Sequence, residues 1–158
     1  MDKPELKIPK IRKPVSLWVH PEGRVLGSLF LREQSVNHAG PERPEEVLNQ
    51  DVPFIVLYRE DPAELRFYNR SAIVRVEYDD GPVSEGDHLT ILPCCLDLMD
   101  GSRICGEIRE ILPADRARLF DYLNHPEVRF LLLHLPEGGI CLVNRNYVIH
   151  VTSPGEGA

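Results

Sequence analysis

The sequence LNHPEVRFLLLHLPEGGICLVNRNYVIHV, at residues 123–151, decides the fold, because the chain carries nearly the same pattern at residues 48–76 as LNQDVPFIVLYREDPAELRFYNRSAIVRV. In both stretches Leu-Asn comes first, a Phe opens an apolar run, a turn with an acidic residue and a proline follows, and Asn-Arg precedes a second apolar run. The offset is 75 residues at the leading leucine (123 − 48) and again at the asparagine of Asn-Arg (144 − 69). Repetition at a fixed offset indicates an internal duplication.

The similarity extends toward the N-terminal side of both stretches. Pro-Val-Ser-Leu at residues 14–17 aligns with Pro-Cys-Cys-Leu at 93–96, and Arg-Val-Leu-Gly at 24–27 aligns with Arg-Ile-Cys-Gly at 103–106, both at an offset of 79 (93 − 14 and 103 − 24). Glycine inside a strand is typical of a bulge or of a close backbone approach. The sequence therefore predicts a mainly β protein with short helices, in which a strand–strand–helix–strand–strand–strand unit occurs twice.

Element boundaries follow from the local patterns. Short helices are predicted at residues 44–49 and 113–124, where a proline precedes acidic residues and then apolar ones. The continuous apolar runs at 54–59 and 130–135 are predicted as strands that are buried on both faces or against the helix.

These elements divide the chain into five segments: an irregular basic arm at 1–13, a first β-rich repeat at 14–78, a linker at 79–92, a second repeat at 93–153 and a tail at 154–158. A unit of roughly sixty residues is marginally stable alone, because surface dominates its volume. We therefore expect two small barrel-like halves packed with pseudo-two-fold symmetry, or two halves that share one sheet system.

The order of two strands with Arg and Gly, then Leu-Asn, a Phe-led strand and Asn followed by Ile-x-x-Val resembles a family of small uncharacterised bacterial domains. Members of that family are similar in outline to Sm-like or SH3-like barrels. The resemblance covers residues 14–78 and 93–153, implies a small β-barrel-like unit twice and transfers no catalytic residue. The first copy departs from it by a longer loop at 34–43.

Charge and hydropathy exclude several classes of function. The chain has 18 basic and 25 acidic residues and a formal charge of −7, whereas a nucleic-acid partner requires clustered basic groups. We therefore expect no nucleic acid as partner. No apolar run reaches the roughly 18–20 residues of a membrane span, and no basic–apolar leader is present, so a cytoplasmic location is expected. The four cysteines lack a disulfide-framework spacing and are expected to be reduced.

Motifs for catalysis or for cofactor binding are missing from the sequence. The six histidines fall in no His-x-x-x-His spacing, and neither Cys-x-x-Cys nor Gly-x-Ser-x-Gly occurs. No glycine-rich phosphate loop precedes a helix. We expect no catalytic residue, no metal and no cofactor, and a hydrolase-like enzyme is the least favoured of the hypotheses.

The first functional hypothesis is a non-enzymatic protein-interaction or adaptor module, with a protein partner or a homodimer. Trp18 and Phe30 are its candidate contacts. Trp18 lies in an alternating strand and aligns with the polar Asp97, which favours a solvent-facing anchor. Packing of Trp18 against the other copy or the N-terminal arm is the alternative.

The second hypothesis, from another class, is a sensor of a small ligand or anion. Arg24, Arg70, Arg103 and Arg145 recur at matching places and would form two equivalent basic spots. The alternative is that Asn69 and Asn144 close turns while these arginines pair with surface acids.

Overall fold

A computed structural model describes residues 9–79, 90–110 and 119–153, with no side-chain description for residue 110. Within these ranges the protein is mainly β, with two short helices, as predicted. The strands are β1 (Lys10–Val19), β2 (Gly23–Arg32), β3 (Phe54–Glu60), β4 (Ala63–Asn69), β5 (Ile73–Tyr78), β6 (Thr90–Leu98), β7 (Arg103–Glu110), β8 (Phe130–His134), β9 (Ile140–Asn144) and β10 (Val148–Thr152), and the helices are α1 (Pro44–Leu48) and α2 (Leu119–Leu123).

Two predicted segment boundaries differ from the observed strand starts by more than one residue. β1 begins at Lys10, inside the predicted arm, because its first residues pair with the end of β2 from Lys10 opposite Arg32 onward. β6 begins at Thr90, inside the predicted linker, because it pairs with Glu110 of β7. Parts of four predicted segments lie outside the described residues: 1–8 of the arm, 80–89 of the linker, 113–118 of the second helix and 154–158, the tail.

All the strands of the described part of the chain join one ten-stranded sheet in the order β10-β6-β7-β8-β9-β5-β1-β2-β3-β4. The first half of the chain (β1 to β5) and the second half (β6 to β10) each occupy an unbroken run of five strands. The halves therefore share one sheet, which was the alternative to separate barrel-like units. β4 and β10 are the two edge strands.

The junction between the halves joins β5 to β9, with Val76 opposite Leu142 and Tyr78 opposite Ile140. β5 ends the first half, whereas β9 is the fourth strand of the second. A two-fold axis would require the reciprocal pairing of β4 with β10, which does not occur in this sheet. The predicted pseudo-two-fold arrangement is therefore wrong, and the halves are joined head to tail.

Two hydrophobic cores lie on opposite faces of the junction. Leu142 of β9 packs in the core of the first half, whereas its neighbours Cys141 and Val143 pack in the core of the second half. β5 also contributes to both cores, with Val76 in the first and Val74 in the second, because the β1–β5 ladder shifts register at Val74, where a bulge turns this side chain to the other face. Successive side chains of a strand point to opposite faces, so a strand covered on both sides is largely apolar, as β9 is from Ile140 to Val143.

Each half has a glycine where two strands come very close. A Cβ atom on Gly27 would lie 2.8 Å from the carbonyl oxygen of Tyr58, and one on Gly106 would lie 2.6 Å from that of His134. Real Cβ atoms do not approach oxygen so closely, so any residue other than glycine would block this contact. The two glycines therefore allow the second strand of each half to pack against the third.

In the described parts of the chain, no helix combines the length and the apolar character needed to cross a membrane.

Candidate interaction surface

The outer side of the β3–β4 hairpin is apolar and open to solvent. Phe54, Leu65 and Phe67 are exposed there, and Val56 and Tyr58 are half-buried between them. Val56 lies opposite Phe67, and Tyr58 lies opposite Leu65. We call these five residues the hairpin face. Contiguous exposed apolar side chains on a folded domain mark interaction sites more often than scattered ones do.

Strand alternation produces the hairpin face. On the opposite side of the same two strands, Ile55, Leu57 and Tyr68 are buried in the first core. Residues 54–59 were predicted as a strand buried on both faces or against the helix; the strand is present, but burial on both faces is wrong, because only the side with Ile55 and Leu57 is buried. The corresponding run in β8 is buried almost throughout, because the first half of the chain covers Phe130 and the outer side of β9.

Phe30, one of the two predicted contact residues, borders the hairpin face. Its half-buried ring meets that of Tyr58 edge-on, with ring centroids 6.4 Å apart. The guanidinium of Arg12 lies 4.6 Å from the Tyr58 ring centroid on the same side of the sheet. Phe30 and Phe54 also line a small cavity of about 190 Å³. These contacts extend the apolar surface from β4 as far as β2.

A second open surface lies at the other end of the sheet. Beside β10, a groove of about 500 Å³ is lined by α2, β8 and β10 residues, among them Leu123, Leu131 and Val151. Ile149, on the free edge, is exposed. We call this surface the edge groove. The two edge strands therefore both present apolar side chains.

Trp18, the other predicted contact residue, is half-buried. Its ring packs against the core of the second half, with the Arg75 guanidinium 3.9 Å from the ring centroid and that of Arg24 5.6 Å away. Trp18 lies between β2 and β5, directly opposite both arginines. Packing against the other half was one of the two alternatives predicted for Trp18. Its contact with a partner protein stays a hypothesis.

The four predicted ligand arginines lie in different settings. Arg70 donates to the carbonyl oxygen of Gln50, and Arg145 donates to those of Leu123 and His125 at 3.2 and 2.8 Å. Burial and the nearby Arg129 lower the pKa of Arg70. Arg24 donates to the Ser16 hydroxyl at 3.3 Å, and Arg103 is exposed on β7 opposite Asp97. Arg70 and Arg145 thus bind the backbone that follows each helix.

The cysteines differ from their predicted reduced state at one pair. Cys95 lies directly opposite Cys105 in the β6–β7 ladder, and the two form a disulfide. A hairpin register that the spacing did not reveal brings them together. Burial raises the pKa of the Cys94 thiol to about 11 and that of Cys141 to about 12, so both are protonated and unreactive at neutral pH.

The described residues contain no cluster of three or more His, Cys, Asp or Glu side chains suited to a metal ion. The most connected carboxylate, Glu46, is structural. It accepts hydrogen bonds from Ser35 at 2.6 Å, from Asn37 at 3.1 Å and from the Arg43 backbone, and it contacts His38. Burial alone would raise its pKa, but these hydrogen bonds lower it to about 2. Glu46 thereby fastens the loop before α1.

Comparison with known protein families, curated proteins and solved structures finds no significant match.

Sequence reasoning missed the hairpin face, although part of its signal is readable. Leu65 and Phe67 alternate with Glu64 and Arg66, which is the pattern of a strand with one apolar face. The pattern does not reveal whether that face is covered. Leu142 aligns with Phe67 and is buried, so only the positions of the two hairpins in the sheet distinguish them.

Proposed function

We propose that this chain is a non-enzymatic protein-interaction module that binds another protein chain through the hairpin face. The observation that carries this proposal is the exposure of Phe54, Leu65 and Phe67 on an edge hairpin. Burying such side chains in an interface yields about 25 cal/mol per Å² of apolar area. An edge strand can in addition form main-chain hydrogen bonds with a strand from the partner.

We further propose that the two halves arose by duplication of a five-stranded, barrel-like unit. Matching contacts support this origin. Asn69 and Asn144 each accept a hydrogen bond from the backbone two residues later, at 2.9 and 3.0 Å. Asn49 and Asn124 each donate to the carbonyl oxygen four residues earlier, at 3.0 and 2.9 Å. Such caps recur at offsets of 75 residues (144 − 69 and 124 − 49).

The strand registers agree with a duplication as well. β5 pairs with β1 and β10 pairs with β6 in corresponding registers, with Val76 opposite Leu17 and Val151 opposite Leu96. Both ladders shift register near the same place. The resemblance to small Sm-like or SH3-like bacterial domains is part of this proposal, as is the adaptor's cytoplasmic location.

The anion-sensor hypothesis has less support than the interaction module. Arg70 and Arg145 donate to backbone carbonyl oxygens, so a ligand would compete with those hydrogen bonds. A thermal-shift screen with nucleotides and acidic metabolites addresses this alternative, because a bound ligand raises the melting temperature.

The test of the interaction module is an affinity capture from the native organism's lysate with immobilised chain as bait. Wild type is compared with Phe67→Ser, which replaces the most central apolar group of the hairpin face. Ile91→Ser is the matched control, because Ile91 is a similarly exposed aliphatic residue on β6, away from the hairpin. Circular dichroism and the melting temperature establish that all three are equally folded.

The expected result is a protein bound stoichiometrically by wild type and by Ile91→Ser and at least about tenfold less by Phe67→Ser, which corresponds to a loss of about 1.4 kcal/mol. The criterion applies to a protein other than the chain itself, because a second copy could also be captured through a different surface of the bait. Equal capture by all three chains would refute the role of the hairpin face.

A further inference from the structure

The junction between the halves shows how the strand that corresponds to β4 is covered within the chain. At that junction, β5 of the first half lies beside β9 of the second half, and β9 is the counterpart of β4 on the proposed duplication. The strands left at the two ends of the sheet are β4 and β10, the counterparts of β9 and β5. The free edges are thus the same two kinds of strand that already pair inside the chain.

Burial at matching positions differs sharply between the junction and the free edges. Leu142 is 0% exposed at the junction, whereas its counterpart Phe67 on β4 is 65% exposed. Val74 is 2% exposed, and its counterpart Ile149 on β10 is 61% exposed. All four residues are apolar. In the described part of the chain, the free edges therefore carry exposed apolar side chains at positions that are buried at the junction.

The asparagines that follow the two helices show the same difference between a buried junction and an exposed edge. Asn49, after α1, accepts hydrogen bonds at its side-chain oxygen from the backbone N–H groups of Arg129 and Phe130, at 2.7 and 2.9 Å. These bonds fasten the first half to β8. Its counterpart Asn124, after α2, is exposed beside the edge groove. It holds the same hydrogen bond to its own helix, so its side chain has the same orientation relative to that helix.

The edge groove corresponds to the region beside α1 and β5 that β8 and β9 cover at the junction. Leu123, Val148 and Ile149 line it, and their counterparts Leu48, Ile73 and Val74 are buried. At the junction, side chains of β8 and β9, including Phe130, pack against these buried counterparts. An incoming β3–β4 hairpin presents Phe54 in the position of Phe130.

β10 lacks the features that normally prevent strand addition, and on β4 the two charges that point to the core side neutralise each other. β10, with the sequence VIHVT, contains no Pro and no Lys, Arg, Asp or Glu. In β4 the two charged residues, Glu64 and Arg66, form an ion pair at 2.8 Å on the side away from the hairpin face. Natural proteins usually protect sheet edges with lysine, proline or inward-pointing charges that oppose pairing.

We infer that the partner of the hairpin face is a second copy of this chain, whose β10 pairs antiparallel with β4 and repeats the β5–β9 junction between molecules. This inference rests on the proposed function, because it names the partner of the same surface. The observed junction register places Val151 opposite Phe67 of the next copy and His150 opposite Tyr68. Since the two surfaces differ, the association is heterologous and continues to a closed ring or to a filament.

The test uses the full chain and two charge substitutions on opposite surfaces. Phe67→Asp disables the hairpin face and leaves β10 intact, and Ile149→Asp does the reverse. Ile91→Asp is the control for an added exposed carboxylate on β6. Sedimentation and light scattering give the mass of wild type, of each variant and of a one-to-one mixture of the first two, up to about 1 mM protein.

Head-to-tail pairing predicts that wild type and Ile91→Asp associate, and that each edge variant alone is a folded monomer. Their mixture forms a species of two chains and nothing larger, because one intact hairpin face and one intact β10 edge remain. Failure of the mixture to form this dimer, despite wild-type assembly, would indicate an isologous contact and overturn the inference.

A wild type that stays monomeric throughout this concentration range also overturns the inference. The proposed function is decided separately by the lysate capture. If wild type is monomeric, loss of a different bound protein with Phe67→Ser supports the interaction module and refutes only self-association, whereas unchanged capture of that protein refutes both.

Discussion

Val76 lies directly opposite Leu142 where the two halves of the sheet meet, and both side chains are fully buried. The pair connects the last strand of the first half to the hairpin of the second. Because each residue packs in the core of the first half, that core includes side chains from both halves of the chain. Folding of the first half is therefore coupled to the presence of the second.

Leu142→Ala should lower the free energy of unfolding by about 2–5 kcal/mol, because it leaves a cavity in a closed core. The matched substitution Phe67→Ala removes a larger side chain at the corresponding exposed position and should change it by about 0.5 kcal/mol or less. Urea unfolding at low protein concentration, where association does not contribute, measures both. Similar losses for the two variants would contradict the assigned difference in burial.

Asn49→Ala should destabilise the chain by about 1–3 kcal/mol, because it leaves the backbone N–H groups of Arg129 and Phe130, where β8 begins, without their acceptor. Asn124→Ala removes the same hydrogen bond to its helix but no bond across the junction. The difference in unfolding free energy between the two variants therefore isolates the contacts with Arg129 and Phe130. Equal losses of unfolding free energy in the two variants would show that these two hydrogen bonds do not contribute to stability.

The loop before α1 should lose its attachment in acid. The pKa of Glu46 falls from its ordinary 4.5 to about 2 in the folded chain, so the stabilisation is complete above pH 4.5 and is lost as the pH falls toward 2. Glu46→Gln should be less stable at pH 7, and its melting temperature should vary less with pH within this window. A wild-type curve that parallels the variant between pH 4.5 and 2 would contradict the assignment.

Cys95 and Cys105 should be oxidised in protein purified without reductant, whereas Cys94 and Cys141 stay as thiols. Alkylation in denaturant alone should label two cysteines, and prior reduction should raise this to the four that the chain contains. Since the bond closes a segment of 10 residues, Cys105→Ser should cost about 3 kcal/mol. Four labelled cysteines without reduction would refute the pairing.

Local patterns sufficed to predict most of the strands, because alternation, apolar runs and glycine turns are properties of short segments. The sequence Asp100-Gly101 is a strong hairpin-turn signal, and in the structure Gly101 lies between β6 and β7 with the positive φ of 89° that favours glycine. The boundary at Lys10 was missed because it depends on pairing with β2, which the polar composition of the arm does not reveal.

The candidate site was predicted less well than the fold. Phe30 does border the exposed surface, but Phe54 was expected to be buried, and Trp18 is half-covered by Arg75. The exposure of an aromatic side chain depends on which distant segment lies against it. A single sequence does not encode that neighbour in any short pattern.

By itself, the sequence determined that the chain is mainly β and that one pattern occurs twice, because both follow from residue periodicity and from fixed offsets. Only the tertiary structure decided that β5 meets β9, and hence that Leu142 is buried while Phe67 is exposed. The physical reason is that an apolar strand face is stabilised equally by any apolar surface of suitable shape. Which surface covers a given strand face is therefore determined by the packing of the whole sheet.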